Sequence, residues 1–144
     1  MNTKIFCDIA DISSIKKFNN KSIVKGFTTN PSLMRKAGAK DYKSYSKKIL
    51  KICNNKPVSF EVFADEYKEM KIQAIKINTW GKNVYVKVPV ANSKGKFMGK
   101  IIKELNNHAP DIFLFFYQVL LIDYKKYCID LKGFHHYDSF QHQH

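Results

Sequence analysis

The sequence predicts an α/β protein in which short parallel strands alternate with helices. Between residues 4 and 107, a short apolar run, a turn and an amphipathic stretch recur in that order about four times, which is typical of βα units around a parallel sheet. After Asn107 this pattern stops and an aromatic, lysine-rich and finally histidine-rich segment follows. We therefore expect about four βα units at residues 1–108 and a divergent C-terminal segment at residues 109–144.

Each unit is predicted from its apolar spacing and from its capping residues. The predicted strands are residues 4–9, 22–27, 58–63 and 83–88. The apolar residues expected on single helix faces are Ile12, Ile15 and Phe18; Tyr42, Tyr45, Ile49 and Ile52; Tyr67, Met70, Ala74 and Ile77; and Phe97, Met98, Ile101, Ile102 and Leu105. Asp11 and Asp41 are predicted N-caps, and Pro31 permits a helical turn over residues 32–37. The last helix is predicted from about Lys94 to Leu105.

The charge pattern argues against specific nucleic-acid binding, although a formal net charge of +13 attracts phosphates. Nearly all the positive charge is lysine, and Arg35 is the only arginine. The bidentate contacts that arginine makes to phosphates and guanine are therefore missing. Because the lysines are spread over every predicted helix, we expect no specific nucleic-acid partner, and a basic binding protein remains an alternative.

No part of the sequence predicts a membrane span, which needs roughly 18 consecutive apolar residues, and we expect a cytoplasmic protein without membrane partners. Cys7, Cys53 and Cys128 form no pair with disulfide or zinc-ligand spacing, so reduced core thiols are expected. His135, His136, His142 and His144 lie in the last ten residues, where an unstructured polar tail is favoured over a metal site.

Polar residues inside the predicted strands need a reason, because strands of a barrel covered by helices are normally apolar throughout. In the fourth strand, Val84, Val86 and Val88 alternate with Tyr85 and Lys87. If the valines face the helices, Lys87 points into the barrel. Desolvation disfavours the ammonium form of an amine, and a neutral amine can attack a carbonyl to form an imine. The alternative is that Lys87 ends the strand and extends its amine into solvent.

The other predicted strands also carry polar groups at their carboxyl ends. Asp8 lies in the first strand, Thr28 and Asn30 follow the second, and Glu61 lies in the third. In a barrel these ends meet at the mouth where catalysis takes place. Taken alone, Asp8 and Asn30 are each more often a cap or turn residue than a catalytic one. Together with Lys87, the set provides the acid, amide, carboxylate and amine that carbon–carbon cleavage through an imine requires.

Four segments of the chain resemble the transaldolase family, in particular its short-chain branch, which includes the fructose 6-phosphate aldolases. The segments are Phe6-Cys7-Asp8-Ile9-Ala10-Asp11, Gly26-Phe27-Thr28-Thr29-Asn30-Pro31-Ser32, Ser59-Phe60-Glu61-Val62 and Val84-Tyr85-Val86-Lys87-Val88-Pro89-Val90. They match in order and spacing, and the resemblance covers roughly residues 4 to 107. It implies a (β/α)8 (TIM) barrel and sugar phosphate substrates of the pentose phosphate pathway.

The resemblance also implies a role for each candidate residue. Lys87 is expected to form the Schiff base with the ketose, and Asp8 to take the proton from the hydroxyl at the bond that breaks. Glu61 is expected to orient a water, while Asn30 and Thr28 hold substrate hydroxyls. Glutamate at position 61 favours transaldolase, since glutamine is expected in the aldolases. No metal or other cofactor is expected, because the protonated imine is the electron sink.

The chain also departs from the family. A complete barrel takes about 250 residues and at least about 200, so 144 residues predict an incomplete (β/α)8 barrel. Asp111 to Tyr117 stands where a fifth strand is expected but lacks the family's threonine. Because the resemblance ends sharply, we expect that the reading frame was lost near Ala109. A fructose 6-phosphate aldolase-like lyase and a non-catalytic truncated remnant are therefore alternatives to transaldolase activity, and association into a homo-oligomer is left open.

Overall fold

The computed structural model of the chain describes residues 4–53 and 55–108. In this part the strands are β1 (Ile5–Asp8), β2 (Val24–Thr28), β3 (Val58–Glu61) and β4 (Val84–Lys87). The helices are α1 (Ile12–Asn19), α2 (Pro31–Lys36), α3 (Tyr42–Ile52), α4 (Tyr67–Asn78) and α5 (Gly99–His108). Strands and helices alternate along the chain as the apolar spacing predicts, except that two helices, α2 and α3, follow β2 before β3 begins.

The strands of the described residues form one parallel sheet in the order β1-β2-β3-β4. Consecutive strands are thus neighbours, and a helical connection joins each pair, as parallel strands require. This arrangement confirms the predicted α/β class and corresponds to part of a TIM barrel. The predictions made for residues 109–144, including Cys128 and the four C-terminal histidines, lie outside the described residues.

The helix-facing side of the sheet forms the core. Val84 and Val86 of β4 are buried, and so is Val88, the residue that follows the strand. All three cluster with Met70 and Ala74 of α4. Tyr85 and Lys87 alternate with these valines and are only partly buried. The predicted division of β4 into an apolar face toward the helices and a polar face on the opposite side is therefore confirmed.

Side-chain caps begin α1 and α3. Asp11 accepts a hydrogen bond from the backbone N–H of Ser14 at 2.8 Å, and Asp41 accepts one from Ser44 at 2.7 Å. Each satisfies a backbone donor that the first helical turn leaves without a partner. Both predicted N-caps are confirmed, and Pro31 occupies the first position of α2 as expected.

The predicted start of the last helix at about Lys94 is wrong. α5 begins at Gly99, and residues 91–97 form a loop closed by an antiparallel bridge between Ala91 and Phe97. The Asn92 side chain accepts hydrogen bonds from the N–H groups of Lys94 and Lys96, and Gly95 adopts a φ of 73°. This turn chemistry competes with helix formation.

Two predicted members of the apolar faces are exposed. Phe97 lies in the loop before α5 with 67% of its surface exposed, and Phe18 is 37% exposed near the end of α1. Met98, Ile101, Ile102 and Leu105 are buried as predicted. The apolar pattern around α5 was therefore correct from Met98 onward and wrong at Phe97, because the helix does not extend that far.

No helix among the described residues is long and apolar enough to cross a membrane. Cys53 is buried, Cys7 is half-buried, and neither forms a disulfide. Burial raises the pKa of Cys53 to about 11 and also raises the pKa of Cys7. Both thiols are therefore poor nucleophiles at neutral pH, in agreement with the core role predicted for them.

Candidate active site at the carboxyl ends of the strands

Each of the strands in the described residues ends on a polar residue that the sequence singled out. β1 ends at Asp8, β2 at Thr28, β3 at Glu61 and β4 at Lys87. Because the strands are parallel, these four residues lie at the same edge of the sheet. Turns and helix starts follow that edge, which is where ligands bind in open and closed parallel sheets.

Glu61 and Lys87 form an ion pair at this edge. They are register partners on the adjacent strands β3 and β4, and their side chains extend from the same face of the sheet. Lys87 Nζ lies 3.4 Å from Glu61 Oε2, with 13% of the lysine side chain and 16% of the glutamate side chain exposed. The amine is therefore held close to a carboxylate and largely shielded from bulk water, as predicted, and does not extend into solvent.

Asp8 and Thr28 form a second pair on β1 and β2. They are also register partners, and Thr28 Oγ1 donates a hydrogen bond to Asp8 Oδ1 at 2.7 Å. This bond orients the Asp8 carboxylate through one of its oxygens. In the described sheet, β1 and β4 are the outer strands, so Asp8 and Lys87 are separated along the sheet by β2 and β3.

The turn after β2 serves the structure as well as the site. The Asn30 side-chain oxygen caps α2 by accepting a hydrogen bond from the N–H of Leu33 at 2.8 Å. The buried Thr29 donates both its hydroxyl, at 2.9 Å, and its N–H, at 3.1 Å, to the carbonyl oxygen of Ser59. The turn is thereby fixed to β3.

Two further residues, Ser59 and Tyr85, line the same face of the sheet but were not named as site residues from the sequence. Ser59 is the register partner of both Thr28 and Tyr85, one row below the Glu61 and Lys87 pair. The signal was present in the sequence, because period-two alternation places Ser59 on the same face as Glu61 and Tyr85 on the same face as Lys87. Neither residue type alone indicates chemistry, so this signal is weak.

A residue on the helix side of the site, Tyr42, is not predicted by the sequence pattern. The Tyr42 hydroxyl contacts the backbone of Glu61 twice, accepting from its N–H at 3.1 Å and donating to its carbonyl at 3.0 Å. From its spacing, Tyr42 was interpreted only as part of the apolar face of α3. No local pattern could identify this contact, since it joins residues that are 19 positions apart.

The described residues contain no group of three or more histidine, cysteine, aspartate and glutamate side chains that could hold a metal ion. The carboxylates of the site instead pair with a hydroxyl in the case of Asp8 and with an amine in the case of Glu61. Proton transfer and amine chemistry are therefore what these pairs can support.

A parallel α/β sheet with a shielded lysine, two carboxylates and polar turns at its carboxyl edge is typical of one class of protein, the barrel-type enzymes. The comparisons with known proteins narrow this class. Residues 5–109 match the family model described as Transaldolase/Fructose-6-phosphate aldolase. The chain belongs to this transaldolase and fructose-6-phosphate aldolase family.

Individual relatives agree with the family match. A probable transaldolase of Dehalococcoides mccartyi is 40% identical over 101 residues, which cover 70% of this chain and 47% of the relative. A probable transaldolase of Thermoplasma volcanium is 41% identical over 103 residues, covering 70% of this chain and 46% of the relative. A probable transaldolase of Brucella ovis is 41% identical over 87 residues, covering 60% of this chain and 39% of the relative.

The chain spans about half the length of the curated relatives that it matches, or less. The family match covers all of the strands in the described residues and all of the candidate site residues. The similarity therefore includes the whole carboxyl edge that β1 to β4 provide.

Proposed function

We propose that this chain performs a transaldolase-like reaction, in which Lys87 forms a Schiff base and transfers a three-carbon dihydroxyacetone unit between sugar phosphates. The single observation that carries this proposal is the shielded Lys87 amine, 3.4 Å from the Glu61 carboxylate at the carboxyl edge of a parallel sheet. Membership of the family supports the choice of reaction.

Lys87 and Glu61 supply the steps that make and hydrolyse the imine. The Lys87 amine adds to the ketone carbonyl of the sugar, and loss of water from the adduct gives the protonated imine. Both steps require protons to move between nitrogen, oxygen and a nearby acid or base. The Glu61 carboxylate lies close enough to Lys87 to serve these transfers directly or through one ordered water.

Asp8 is the proposed base for carbon–carbon cleavage. It takes the proton from the hydroxyl on the carbon of the breaking bond that becomes the aldehyde, and the bonding electrons move into the protonated imine to form an enamine. The aldehyde half of the donor then leaves. The hydrogen bond from Thr28 orients the Asp8 carboxylate for this step, and the Asn30 amide nitrogen and Thr28 are proposed to contact substrate hydroxyls. The enamine then adds to the acceptor aldehyde, and hydrolysis of the imine returns the free amine.

This chemistry needs neither a metal nor an organic cofactor, because the protonated imine accepts the electrons of the broken bond. The second candidate function is that of a fructose 6-phosphate aldolase-like lyase, in which the enamine is protonated and water hydrolyses the resulting imine, so that dihydroxyacetone leaves without an acceptor sugar. The family description names both activities. Glutamate rather than glutamine at position 61 is the reason to place transaldolase first.

The test is to trap the imine in the full chain with borohydride and fructose 6-phosphate, and then to identify the modified peptide by mass analysis. We expect covalent attachment of sugar at Lys87 in the wild type and none in Lys87→Met. Lys25→Met is the matched control, since Lys25 is an exposed lysine of β2, and it should be labelled at Lys87 like the wild type.

Adding erythrose 4-phosphate separates the two activities. A transaldolase passes the three-carbon unit to this acceptor, so a new ketose phosphate appears and dihydroxyacetone does not. A lyase releases dihydroxyacetone whether or not the acceptor is present. If a folded wild-type chain attaches no sugar at Lys87 under any of these conditions, the catalytic proposal is wrong and a non-catalytic remnant is favoured.

The remaining expectations stay predictions. They are the pentose phosphate pathway, the cytoplasmic location, the division at residues 108 and 109, and the absence of a specific nucleic-acid partner. Association with a second copy also stays open, and its measure is the mass of the folded chain in solution.

A further inference from the structure

The backbone N–H and carbonyl groups of Glu61 lie beyond the end of β2, the neighbouring strand toward which they point. In a parallel ladder, alternate residues direct both their N–H and their carbonyl toward the same neighbouring strand. The Ser59 carbonyl points toward β2 and accepts from the N–H of Thr29, so Glu61, two residues later, points its peptide groups in the same direction. β2 has already ended at Thr28, and the chain turns into α2 at Pro31.

The hydroxyl of Tyr42 stands where the missing ladder partner would be. It accepts a hydrogen bond from the N–H of Glu61 at 3.1 Å and donates one to the carbonyl of the same residue at 3.0 Å. On the opposite side of β3, the next residue, Val62, donates its N–H to the carbonyl of Lys87 at 3.0 Å. The end of β3 is thus held from both sides, by β4 and by a single side chain of α3.

The position of the Tyr42 hydroxyl is itself fixed by its surroundings. The ring makes edge contacts with Phe63 and Trp80 at 5.5 Å between centroids, and with Phe60 at 6.4 Å. Burial raises the pKa of Tyr42 well above its ordinary value. The phenol therefore stays protonated at neutral pH, and it keeps the hydrogen that it donates to the Glu61 carbonyl.

We propose that Tyr42 is a positioning residue for Glu61, which sets the distance between the Glu61 carboxylate and the Lys87 amine by completing the hydrogen-bond ladder at the end of β3. The inference rests on the proposed function, since it assigns Tyr42 a part in the same imine chemistry. Glu61 and Lys87 are register partners. A shift of the Glu61 backbone therefore changes the separation of 3.4 Å directly.

The test compares Tyr42→Phe with Tyr45→Phe in the full chain. Both variants keep the ring and lose one hydroxyl that binds backbone groups. The single hydrogen of the Tyr45 hydroxyl is shared between the carbonyl oxygens of Ala10 and Ala37, at 3.1 and 3.2 Å, and not with Glu61. We expect similar decreases in melting temperature for the two variants. The rate of imine trapping at Lys87 should fall about 10- to 100-fold in Tyr42→Phe only, because misplacement of a catalytic group by about 1 Å can cost about 100-fold.

A double-mutant cycle with Glu61→Gln separates positioning from general destabilisation. If Tyr42 acts through the Glu61 carboxylate, adding Tyr42→Phe to Glu61→Gln should change the trapping rate by less than about threefold, because the group being positioned is already altered. Tyr45→Phe should have the same effect in both backgrounds. Equal and additive losses for the two tyrosine variants would overturn the proposal.

Amide hydrogen exchange tests the contact without relying on activity. In Tyr42→Phe the N–H of Glu61 should exchange at least about tenfold faster than in the wild type, while the N–H of Val62, bonded to β4, should keep its protection. Unchanged exchange at Glu61 would refute the ladder role of Tyr42. A wild-type chain that attaches no sugar would instead refute the proposed function, and with it the catalytic consequence of the contact.

Discussion

Gly26 offers a direct test of how the face of the sheet opposite the helices, which also carries Thr28 and Asp8, is packed. This glycine is the register partner of Phe6, and it lies two residues before Thr28 in the second strand. A Cβ added at Gly26 would lie 2.6 Å from Cδ1 of Phe6 and 2.8 Å from Cγ of Pro57, and closer still to Cε1 of Phe6. Carbon atoms normally pack at about 3.5–4.0 Å, so alanine at this position forces both neighbours to move.

The size of the effect follows from what can move. The Phe6 ring is only partly buried and can rotate away, whereas the Pro57 ring is rigid and leads directly into β3. Overpacking of this kind costs about 1–3 kcal/mol. For a chain of this length, roughly 4 °C per kcal/mol corresponds to a decrease in melting temperature of about 4–12 °C for Gly26→Ala.

The assay is thermal unfolding of the wild type, Gly26→Ala, Phe6→Leu and the double variant. Phe6→Leu removes the ring edge from the clash, so the double variant should recover about half of the loss that Gly26→Ala causes. The remainder should persist because Pro57 is unchanged. An unaltered melting temperature in Gly26→Ala would refute the close packing of Phe6 on β2, and strictly additive effects would refute the assignment of the clash to Phe6.

Two further changes test contacts around the sheet. Thr28→Val removes the hydrogen bond to Asp8, which we expect to cost about 1.5–3 kcal/mol as a bond to a charged group and to slow release of the aldehyde product. Glu104 of α5 accepts hydrogen bonds from Tyr67 and Lys71 of α4, at 2.7 and 2.6 Å. These bonds lower the pKa of Glu104 below its ordinary value of 4.5, and the bond from Lys71 has the larger effect. The contribution of Glu104 to stability is therefore present above pH 4.5 and is lost as the pH falls through the lowered pKa, so Glu104→Gln should flatten the acid side of the stability profile.

Matched variants provide the controls for both changes. Thr28→Ser keeps the hydroxyl and should retain most of the activity; a loss as large as that in Thr28→Val would show that the methyl group, not the hydrogen bond, matters. Glu69→Gln alters an exposed carboxylate of α4. If Glu69→Gln changes the pH dependence of stability on the acid side as much as Glu104→Gln does, the assignment of that dependence to the hydrogen bonds of Glu104 is refuted.

Much of the candidate site could be predicted from the sequence because the rules that place it are local. Period-two alternation in β4 puts Lys87 opposite the buried valines, and the structure ends that strand at Lys87. The acidic residues before α1 and α3 were recognised as caps for an equally local reason, since a cap binds a donor three residues away. The family segments then supplied the roles now proposed for Asp8 and Glu61.

Long-range contacts and competing turns are not predicted by local sequence patterns. Phe97 has the spacing of a core residue, but the hydrogen bonds of Asn92 close a turn that ends before the helix can include it. Thr28 was expected to meet substrate, and the fold also brings its hydroxyl to Asp8, 20 residues earlier. Spacing along the chain cannot rank these alternatives, because their energies differ through neighbours that only folding brings together.

The sequence by itself determined the class of fold, the approximate positions of the strands and the polar residues near their carboxyl ends, because helix and strand periodicities are fixed by backbone geometry. Only the tertiary structure decided which of those residues meet. It paired Glu61 with Lys87 and Asp8 with Thr28, and it placed the Tyr42 hydroxyl on the backbone of Glu61. These contacts depend on strand order, register and helix packing, which arise when distant segments bury their apolar faces together.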